Sequence, residues 1–243
     1  MAIRPIFVPE PEKFPFVKEI SIDFEWHPGF AKVQAQKSIA SLHESARQHK
    51  NIYPILEISS KSSDSLGVAL SAFNLQLEKD NKKLSVECAY QGSKVFRSGG
   101  AYQDLYWASS KDAKTDERLR TSGDFIGYKF FGEPFPSNPT SLFYDWLYLN
   151  ALSHNPKVAN EILEFRGFSD IAFNPQKSLN CQARSAALFV SLNHNGHISR
   201  VLEDKDFYIE LLVHASKAES LSVVKQSGVK SKKDTNQLTL PIF

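Results

Sequence analysis

The sequence has only two cysteines, Cys88 and Cys181, and no apolar run that approaches 18 residues. Two cysteines are too few for a disulfide framework, which favours a reduced, cytoplasmic compartment. The lack of a long apolar run argues against a membrane-spanning helix. The first residues combine prolines with acids where a signal peptide needs an unbroken apolar core. We therefore expect a cytoplasmic protein with no membrane partner.

The chain also has little net charge, because 29 Lys and Arg residues stand against 27 Asp and Glu residues, a balance of +2. Overall charge therefore gives no case for strong nucleic-acid binding, although a local basic rim could still hold a nucleic-acid substrate. With 243 residues, 42% of them hydrophobic, the chain can bury a sizeable core. The sequence has neither an internal repeat nor a long linker. We predict an α+β fold, mostly helical, in a single domain with a small β component and an N-terminal extension.

Composition divides the chain into three predicted segments. Residues 1–50 form an N-terminal arm and helix, because four prolines within the first 16 residues disfavour a helix there. Apolar residues then recur at helical spacing from Phe30 onward. Residues 51–214 form the central domain. Residues 215–243 form a flexible tail that contains several lysines and has an apolar end, and such a tail could help to steer a nucleic-acid strand.

Local patterns predict the elements of the central domain. The stretches "YPILEIS" (residues 53–59) and "LGVALSAFNLQLE" (66–78) alternate in part, which predicts two strands that form a hairpin. The stretch "GYKFFGEPFPSNP" (127–139) is rich in aromatics and proline and predicts a loop. Further predictions are a helical excursion over 101–123, helices over 140–154, 155–165 and 181–193, a structured loop over 166–180, and a strand pair or helix over 198–214.

The stretch "SVECAYQGSKVF" (85–96) predicts one helix, which ends at the glycine pair 99–100. Positions seven apart in a helix differ by about 20° and share a face. The side chains on this face are Glu87, Tyr90, Gln91 and Lys94. Glu87 and Lys94 would lie roughly 10 Å apart along the axis, so that a substrate between them could contact both. Spacing alone favours the simpler interpretation, in which the face is solvated and Glu87 bonds to Gln91.

Three motifs resemble the NADAR superfamily: "LSAFNL" (70–75), "VECAYQGSKVF" (86–96) and "FSDIAFNPQKSLNCQARSAALFV" (168–190). Residues 24–43 and 99–119 are similar to one branch, the antitoxins encoded beside DNA ADP-ribosyltransferase toxins of the DarT type. The resemblance implies an N-glycosidase that removes ADP-ribose from guanine in single-stranded DNA and releases ADP-ribose. It implies no cofactor, and the cognate toxin becomes a candidate partner.

The resemblance implies the site residues by their place in the motifs. Glu87, Lys94 and Asp170 are the expected catalytic residues. The expected ligand-binding residues are Ser71, Phe73, Asn74, Tyr90, Gln91, Asn180 and Arg184, and Trp107 joins them as a candidate outside the motifs. The sequence departs from the family pattern at three places: Cys88 replaces a histidine, Ala72 stands where many relatives have asparagine, and Ser178 and Cys181 replace glycines.

Cleavage of a bond between ribose and nitrogen develops positive charge on the sugar and needs a proton for the nitrogen leaving group. Glu87 or Asp170 could stabilise that charge, and one of the two, with a pKa raised by burial, could supply the proton. Lys94 offers a second route, because a neutral lysine can attack the ribose and form a Schiff base. That route requires burial to lower the pKa of Lys94.

Other residues have less specific roles. Arg184, or Arg97 with the turn "SGGAY" (98–102), could bind the pyrophosphate. Trp107 is a candidate to stack on a base, whereas Trp146 fits the core better. The stretch "HNGH" (194–197) predicts a turn. Its two histidines have no third metal ligand at a useful spacing, so we predict no metal.

Two alternative functions stay open. The same bond chemistry could act on a small ribosylated metabolite, as in the branch of the family that is similar to a riboflavin-pathway enzyme. The chain could instead be a binding module without catalytic activity that holds ADP-ribose or the toxin.

Overall fold

The computed structural model describes residues 1–213 except Lys177 and Leu179. The predicted basic tail, residues 215–243, lies outside the described residues, and the division into three segments stays a prediction. Within the described part of the chain, no helix combines the length and the apolar character that crossing a membrane requires.

Strands and helices alternate irregularly along the chain. The first half contains β1 (Ala2–Pro9), β2 (Val17–Phe24), α1 (Lys32–Ser45), β3 (Ile55–Glu57), α2 (Ser65–Ala69), β4 (Gln76–Lys79), β5 (Lys82–Ser85) and α3 (Val86–Gly92). The second half contains β6 (Lys94–Phe96), β7 (Gly99–Gly100), α4 (Ser110–Thr115), α5 (Arg118–Thr121), β8 (Phe125–Phe130), β9 (Glu133–Phe135), α6 (Leu142–Ser153), α7 (Pro156–Glu161), β10 (Gly167–Ser169), α8 (Gln182–His194) and α9 (Ile198–Glu203). Short 3-10 turns cover Ala46–Gln48, Lys50–Ile52, Gln103–Trp107 and Ile162–Glu164, and residues 205–213 are helical.

The main sheet has the strand order β2-β1-β10-β3. β1 runs antiparallel to both β2 and β10, and β3 runs parallel to β10. The residues predicted as an extended N-terminal arm are therefore strands of this sheet. A second sheet has the order β7-β6-β8-β9, and β4 and β5 form a separate hairpin. This mixture of helices and sheets confirms the predicted α+β class.

The core lies around α6 and α8. Nine of the 12 residues of α6 are buried, as expected for a helix that is apolar on nearly all sides. α8 packs against α6 on one side and against β1 and β10 on the other. The helices predicted over residues 140–154, 155–165 and 181–193 are confirmed as α6, α7 and α8. The chain end predicted as a strand pair or helix is helical up to residue 213.

The predicted strand over residues 66–78 is wrong, and so is its hairpin with β3. The stretch begins as α2, because the Asp64 side chain accepts a hydrogen bond from the backbone N–H of Leu66 at 2.8 Å and caps the helix. Gly67 permits close packing there, since a Cβ atom at this position would lie 2.0 Å from the carbonyl oxygen of Glu57. Only the end of the stretch is a strand, β4, and its partner is β5.

The predicted loop over residues 127–139 is also wrong, because β8 and β9 form a hairpin there. Proline suggested a loop, yet Pro134 is part of β9 and pairs with Lys129 of β8. Because β9 is an edge strand, the missing N–H of proline is tolerated there. Phe131 and Gly132 make the turn with positive φ angles of 46° and 91°. Likewise, the predicted loop over 166–180 contains the short strand β10.

Candidate active site

A cavity of about 600 Å³ opens where α3, β6 and the segment after β10 meet. All three residues expected to be catalytic line it: Glu87, Lys94 and Asp170. Five of the expected ligand-binding residues also line it, namely Ser71, Phe73, Tyr90, Gln91 and Asn180. Residues far apart in sequence thus converge on one cavity.

The predicted helix over residues 85–96 is too long. Ser85 caps α3 by accepting a hydrogen bond from the N–H of Cys88 at 3.1 Å, but the helix ends at Gly92. Lys94 begins β6, so it does not share a helix face with Glu87. The glycine pair 99–100 forms β7, which pairs with β6, instead of ending a helix. Glu87 and Lys94 line the same cavity because the chain turns after α3, and not because they are spaced along one helix.

Gly92 is the reason for the turn. A Cβ atom at this position would lie 2.5 Å from the ring of Tyr106, so only glycine allows the end of α3 to approach the 3-10 turn that holds Tyr106. Ser93 then bonds to the Tyr106 hydroxyl at 3.1 Å. After this contact the chain continues as β6, in which Lys94 pairs with Tyr128 of β8.

Glu87 is buried, with 5% of its surface exposed. Its Oε1 atom accepts a hydrogen bond from Gln91 at 2.9 Å and lies 3.9 Å from the ammonium of Lys114. Its backbone N–H is bonded to the carbonyl of Ala72 at 2.9 Å. The bond between Glu87 and Gln91 that a solvated face would show therefore exists, but it is buried, so that interpretation is wrong. Lys114 had not been expected as a countercharge.

Lys94 is one of three lysines that line the cavity. Its ammonium lies 4.6 Å from the centre of the Tyr90 ring. Burial lowers the pKa of Lys94 to about 8; the negative charge of Glu87 opposes this shift and the positive charge of Lys114 adds to it. A pKa of about 8 leaves about a tenth of Lys94 neutral at pH 7.

Asp170 follows directly after β10 and faces the same cavity. The backbone N–H of Ala172 donates a hydrogen bond to its Oδ1 atom at 3.0 Å. Burial and, to a smaller extent, the negative charge of Glu57 raise the pKa of Asp170 to about 7, against hydrogen bonds that lower it. Asp170 can therefore hold a proton near neutral pH, as a general acid must.

Tyr90 connects the two walls of the cavity. Its hydroxyl accepts a hydrogen bond from Asn180 Nδ2 at 2.6 Å and lies 3.1 Å from the hydroxyl of Tyr128. Three buried polar atoms of lining residues have no hydrogen-bond partner among the described residues: Ser71 Oγ, Gln91 Oε1 and Asn180 Oδ1. Buried polar atoms without partners are rare in folded proteins, and their grouping around one cavity indicates a polar ligand.

Several lining residues were not expected from the sequence: Ser59, Lys61, Lys114, Phe125, Tyr128, Tyr144 and Gln182. Gln182 joins two walls, because its Oε1 accepts from the N–H of Ala72 at 2.8 Å and its Nε2 donates to the carbonyl of Ile58 at 2.7 Å. Its place beside the motif residue Cys181 was the only sign of this role. Nothing in the local sequence marks the others, because they lie after β3, on α4, on β8 and on α6, and only tertiary packing brings these elements together.

Three expected ligand-binding residues are not brought to the cavity. Asn74 bonds to the carbonyl of Val68 at 2.8 Å. Trp107 is half exposed and packs against Phe131 on another surface. Arg184 instead forms an ion pair at 2.5 Å with a carboxylate of α6.

Two minor candidates also lie elsewhere. Arg97 pairs at 3.4 Å with Asp124, with both side chains largely exposed, and does not line the cavity. Trp146 packs against Phe130 and Phe135 in the core, as expected. Within residues 1–213, apart from the two that are not described, no three His, Cys, Asp or Glu side chains are grouped to bind a metal. The stretch 194–197 forms the predicted turn, with Gly196 at a φ of 75°.

The family model of the DarT1-associated NADAR antitoxins matches residues 2–222. The chain belongs to this family. The match spans the N-terminal strands as well as every wall of the cavity, which confirms the resemblance seen in the motifs. No curated protein matches the chain.

One departure from the family pattern has a simple structural account in this NADAR antitoxin. Cys88 replaces a histidine, and its thiol is buried and donates to the carbonyl of Ala108 at 3.2 Å. The side chain packs with Leu105 and Ala113, and it does not line the cavity. Cys88 therefore contributes no part of the cavity wall.

Proposed function

We propose that this antitoxin is an ADP-ribosyl glycohydrolase that removes ADP-ribose from guanine bases of single-stranded DNA. The supporting observation is the convergence of Glu87, Lys94 and Asp170 on one cavity of about 600 Å³. The family supports the antitoxin role, and the cavity supplies groups that cleavage of a ribose–nitrogen bond needs. The cognate partner in this proposal is a DNA ADP-ribosyltransferase toxin whose mark the enzyme reverses.

In the direct route, Asp170 gives its proton to the guanine nitrogen while the bond between that nitrogen and ribose C1′ breaks. The carboxylate of Glu87 stabilises the positive charge that develops on the ribose. A water molecule forms the new bond to C1′ and gives up a proton to Glu87. The products are ADP-ribose and unmodified guanine.

In the lysine route, the neutral amine of Lys94 forms the bond to C1′ as the bond to guanine breaks. Asp170 again protonates the leaving nitrogen. Opening of the ribose ring leaves a Schiff base between C1′ and the lysine nitrogen, and water then hydrolyses it and returns the amine. The lowered pKa of Lys94, about 8, supports this route because it leaves part of the side chain neutral at working pH.

The cavity also suits the rest of the substrate. Lys61 and Lys114 line it and can face the two phosphates of ADP-ribose. Phe73, over whose ring the Lys114 ammonium lies at 5.0 Å, and Phe125, which is 41% exposed, present aromatic faces to a base. The three unpartnered polar atoms described above can bond to ribose hydroxyls.

The decisive experiment incubates the full chain with an oligodeoxynucleotide that contains ADP-ribosylated guanine and follows the mass of the DNA. We expect loss of the ADP-ribose mass. Glu87→Gln should slow the reaction at least about 100-fold in the direct route, and Lys94→Ala should do so in the lysine route, because each removes the group that acts on the ribose there. Lys111→Ala is the matched control, since Lys111 is an exposed lysine of α4 outside the cavity.

Two results would overturn the proposal. Modified DNA that stays intact while a ribosylated aminopyrimidine phosphate is consumed would indicate a metabolite enzyme. Full protection of toxin-expressing cells by both variants, with the fold intact by circular dichroism, would indicate a binding module. Borohydride added during turnover separates the routes, because it should fix an adduct on Lys94 in the lysine route alone.

A further inference from the structure

A second carboxylate lies directly behind the cavity wall. Glu57 ends β3, is 3% exposed and does not line the cavity. Its Oε2 atom accepts a hydrogen bond from the hydroxyl of Ser169 at 2.5 Å, and its Oε1 atom accepts one from the N–H of Ile171 at 2.9 Å. The two oxygens of Glu57 thus hold the two residues on either side of Asp170.

We propose that Glu57 is a positioning residue, which fixes the Asp170 carboxyl in the cavity by holding both of its chain neighbours and which places a second carboxyl close to it. This inference rests on the proposed function, in which Asp170 is the acid. Glu57 touches no substrate and acts through Asp170.

The surrounding bonds make this arrangement rigid. Ser169 and Glu57 are register partners in the parallel pair of β3 and β10, and the N–H of Ile58 bonds to the carbonyl of Ser169 at 2.8 Å. The ring of His43 lies 2.8 Å from the Ser169 hydroxyl through its Nε2 atom. Since the hydroxyl hydrogen of Ser169 points to Glu57, His43 Nε2 carries the hydrogen of that contact.

Glu57 and Asp170 are neighbouring carboxyls, and the negative charge of Glu57 raises the pKa of Asp170. Burial raises the pKa of Glu57, but the donors at Ile171, Ser169 and Ser59 oppose this shift and favour the carboxylate. Burial also lowers the pKa of His43 to about 4, so this ring is neutral above that pH.

Three titratable groups packed around Asp170 from other elements are neutral near pH 7. They are Tyr144 and Tyr148 of α6 and Cys181 before α8, and burial raises the pKa of each well above its usual value. Glu87 and Lys94 line the same cavity as Asp170, and the charge that raises the pKa of Asp170 is that of Glu57.

The first test needs no substrate. Carbon-13 NMR of the labelled side-chain carboxyls, assigned with Asp170→Asn and Glu57→Gln, follows both titrations in the full chain. We expect Glu57 to ionise at lower pH than Asp170. In Glu57→Gln the titration midpoint of Asp170 should fall by about one pH unit or more, because the nearby charge is gone. An unmoved midpoint, or ionisation of Asp170 first, would overturn the inference.

The second test measures cleavage of the modified oligodeoxynucleotide at two pH values. Glutamine can keep both contacts, since its amide oxygen accepts from Ile171 and its amide nitrogen donates to Ser169. We therefore expect Glu57→Gln to match the wild type at pH 5, where Asp170 is protonated in both proteins. At pH 8 it should be about tenfold slower. Equal losses at both pH values would mean a structural role alone.

Glu57→Ala tests the hold on the backbone. It loses both contacts, so kcat should fall at least about tenfold at pH 5 as well, with KM changed less than about threefold. The matched control is Asp145→Asn, which neutralises a buried carboxylate outside the cavity and should leave the pH dependence unchanged. A wild type that leaves modified DNA intact would refute the proposed function, whereas the NMR titration would still report on Glu57.

Discussion

The two lysines beside Glu87 have different environments. Lys94 is largely enclosed and lies against the Tyr90 ring, and burial lowers its pKa to about 8. The Lys114 side chain is 56% exposed and stands 3.9 Å from the Glu87 carboxylate. Lys114 is thus placed to balance the charge of Glu87, while Lys94 is placed to lose its proton.

The pH dependence of cleavage should distinguish the two routes. If neutral Lys94 attacks the ribose, the rate should rise about tenfold between pH 5 and pH 6, because the neutral fraction grows about tenfold for each pH unit below its pKa. Above pH 8 the rate should fall, since Asp170, with a pKa of about 7, then loses the proton that the leaving nitrogen needs. Single-turnover rates on the modified oligonucleotide measure this profile.

The direct route leads to another profile. The rate would be level from pH 5 to pH 6 and would decline from about pH 7, where Asp170 ionises. Lys94→Arg serves as the control, because arginine keeps a positive charge and stays protonated. A variant that retains the wild-type rise between pH 5 and pH 6 would refute attack by Lys94.

For the secondary-structure elements, the sequence predicted which residues form the site better than it predicted how those residues are arranged. The motifs predicted Glu87, Lys94 and Asp170, and the structure brings all three to one cavity. The helical spacing behind the pairing of Glu87 with Lys94 was wrong, because it extended α3 past Gly92. A contact with Tyr106, 14 positions later, ends the helix there, and no periodicity within residues 85–96 shows that contact.

The strands were the hardest elements to predict. β3, β7, β9 and β10 have two or three residues each, too short for an alternating pattern to appear. The partners of β10 also lie far away in sequence, since it pairs with both β1 and β3. The long helices α6 and α8 were predictable because their apolar residues repeat over several turns.

A substitution that adds one methyl group can test the close packing at the end of α3. Gly92→Ala should lower the free energy of unfolding by about 1–3 kcal/mol, because the new Cβ atom would meet the Tyr106 ring at 2.5 Å. Urea unfolding measures this change. The matched control is Gly127→Ala on β8, where a Cβ atom would meet nothing within 4 Å. Equal effects at the two glycines would contradict the close packing of α3 on the 3-10 turn.

At the scale of the whole molecule, a buried ion pair joins the two central helices. Asp145 of α6 is 1% exposed and accepts hydrogen bonds from Arg184 at 2.5 Å and from Ser185 at 2.6 Å, both on α8. The negative charge of Asp145 raises the pKa of Arg184. Arg184 was expected to bind pyrophosphate, but its ion pair with Asp145 between the two helices indicates a structural role instead.

Removal of Arg184 should therefore act on stability. Arg184→Ala leaves the carboxylate of Asp145 buried without its countercharge, which should cost about 3–5 kcal/mol of unfolding free energy. The double variant with Asp145→Asn should recover part of that loss, because no uncompensated charge remains. Urea unfolding and KM for the modified oligonucleotide provide the two readouts. Unchanged stability with a raised KM would restore the ligand-binding role.

The main sheet also determines when the cavity can form during synthesis. β10 lies between β1, from the start of the chain, and β3, and it directly precedes Asp170. Asn180 and Gln182 of the cavity wall are made later still. A nascent chain that has not passed these residues lacks a wall of the cavity, however well its earlier helices are folded. Truncated translation products of this antitoxin should therefore give no partial protection.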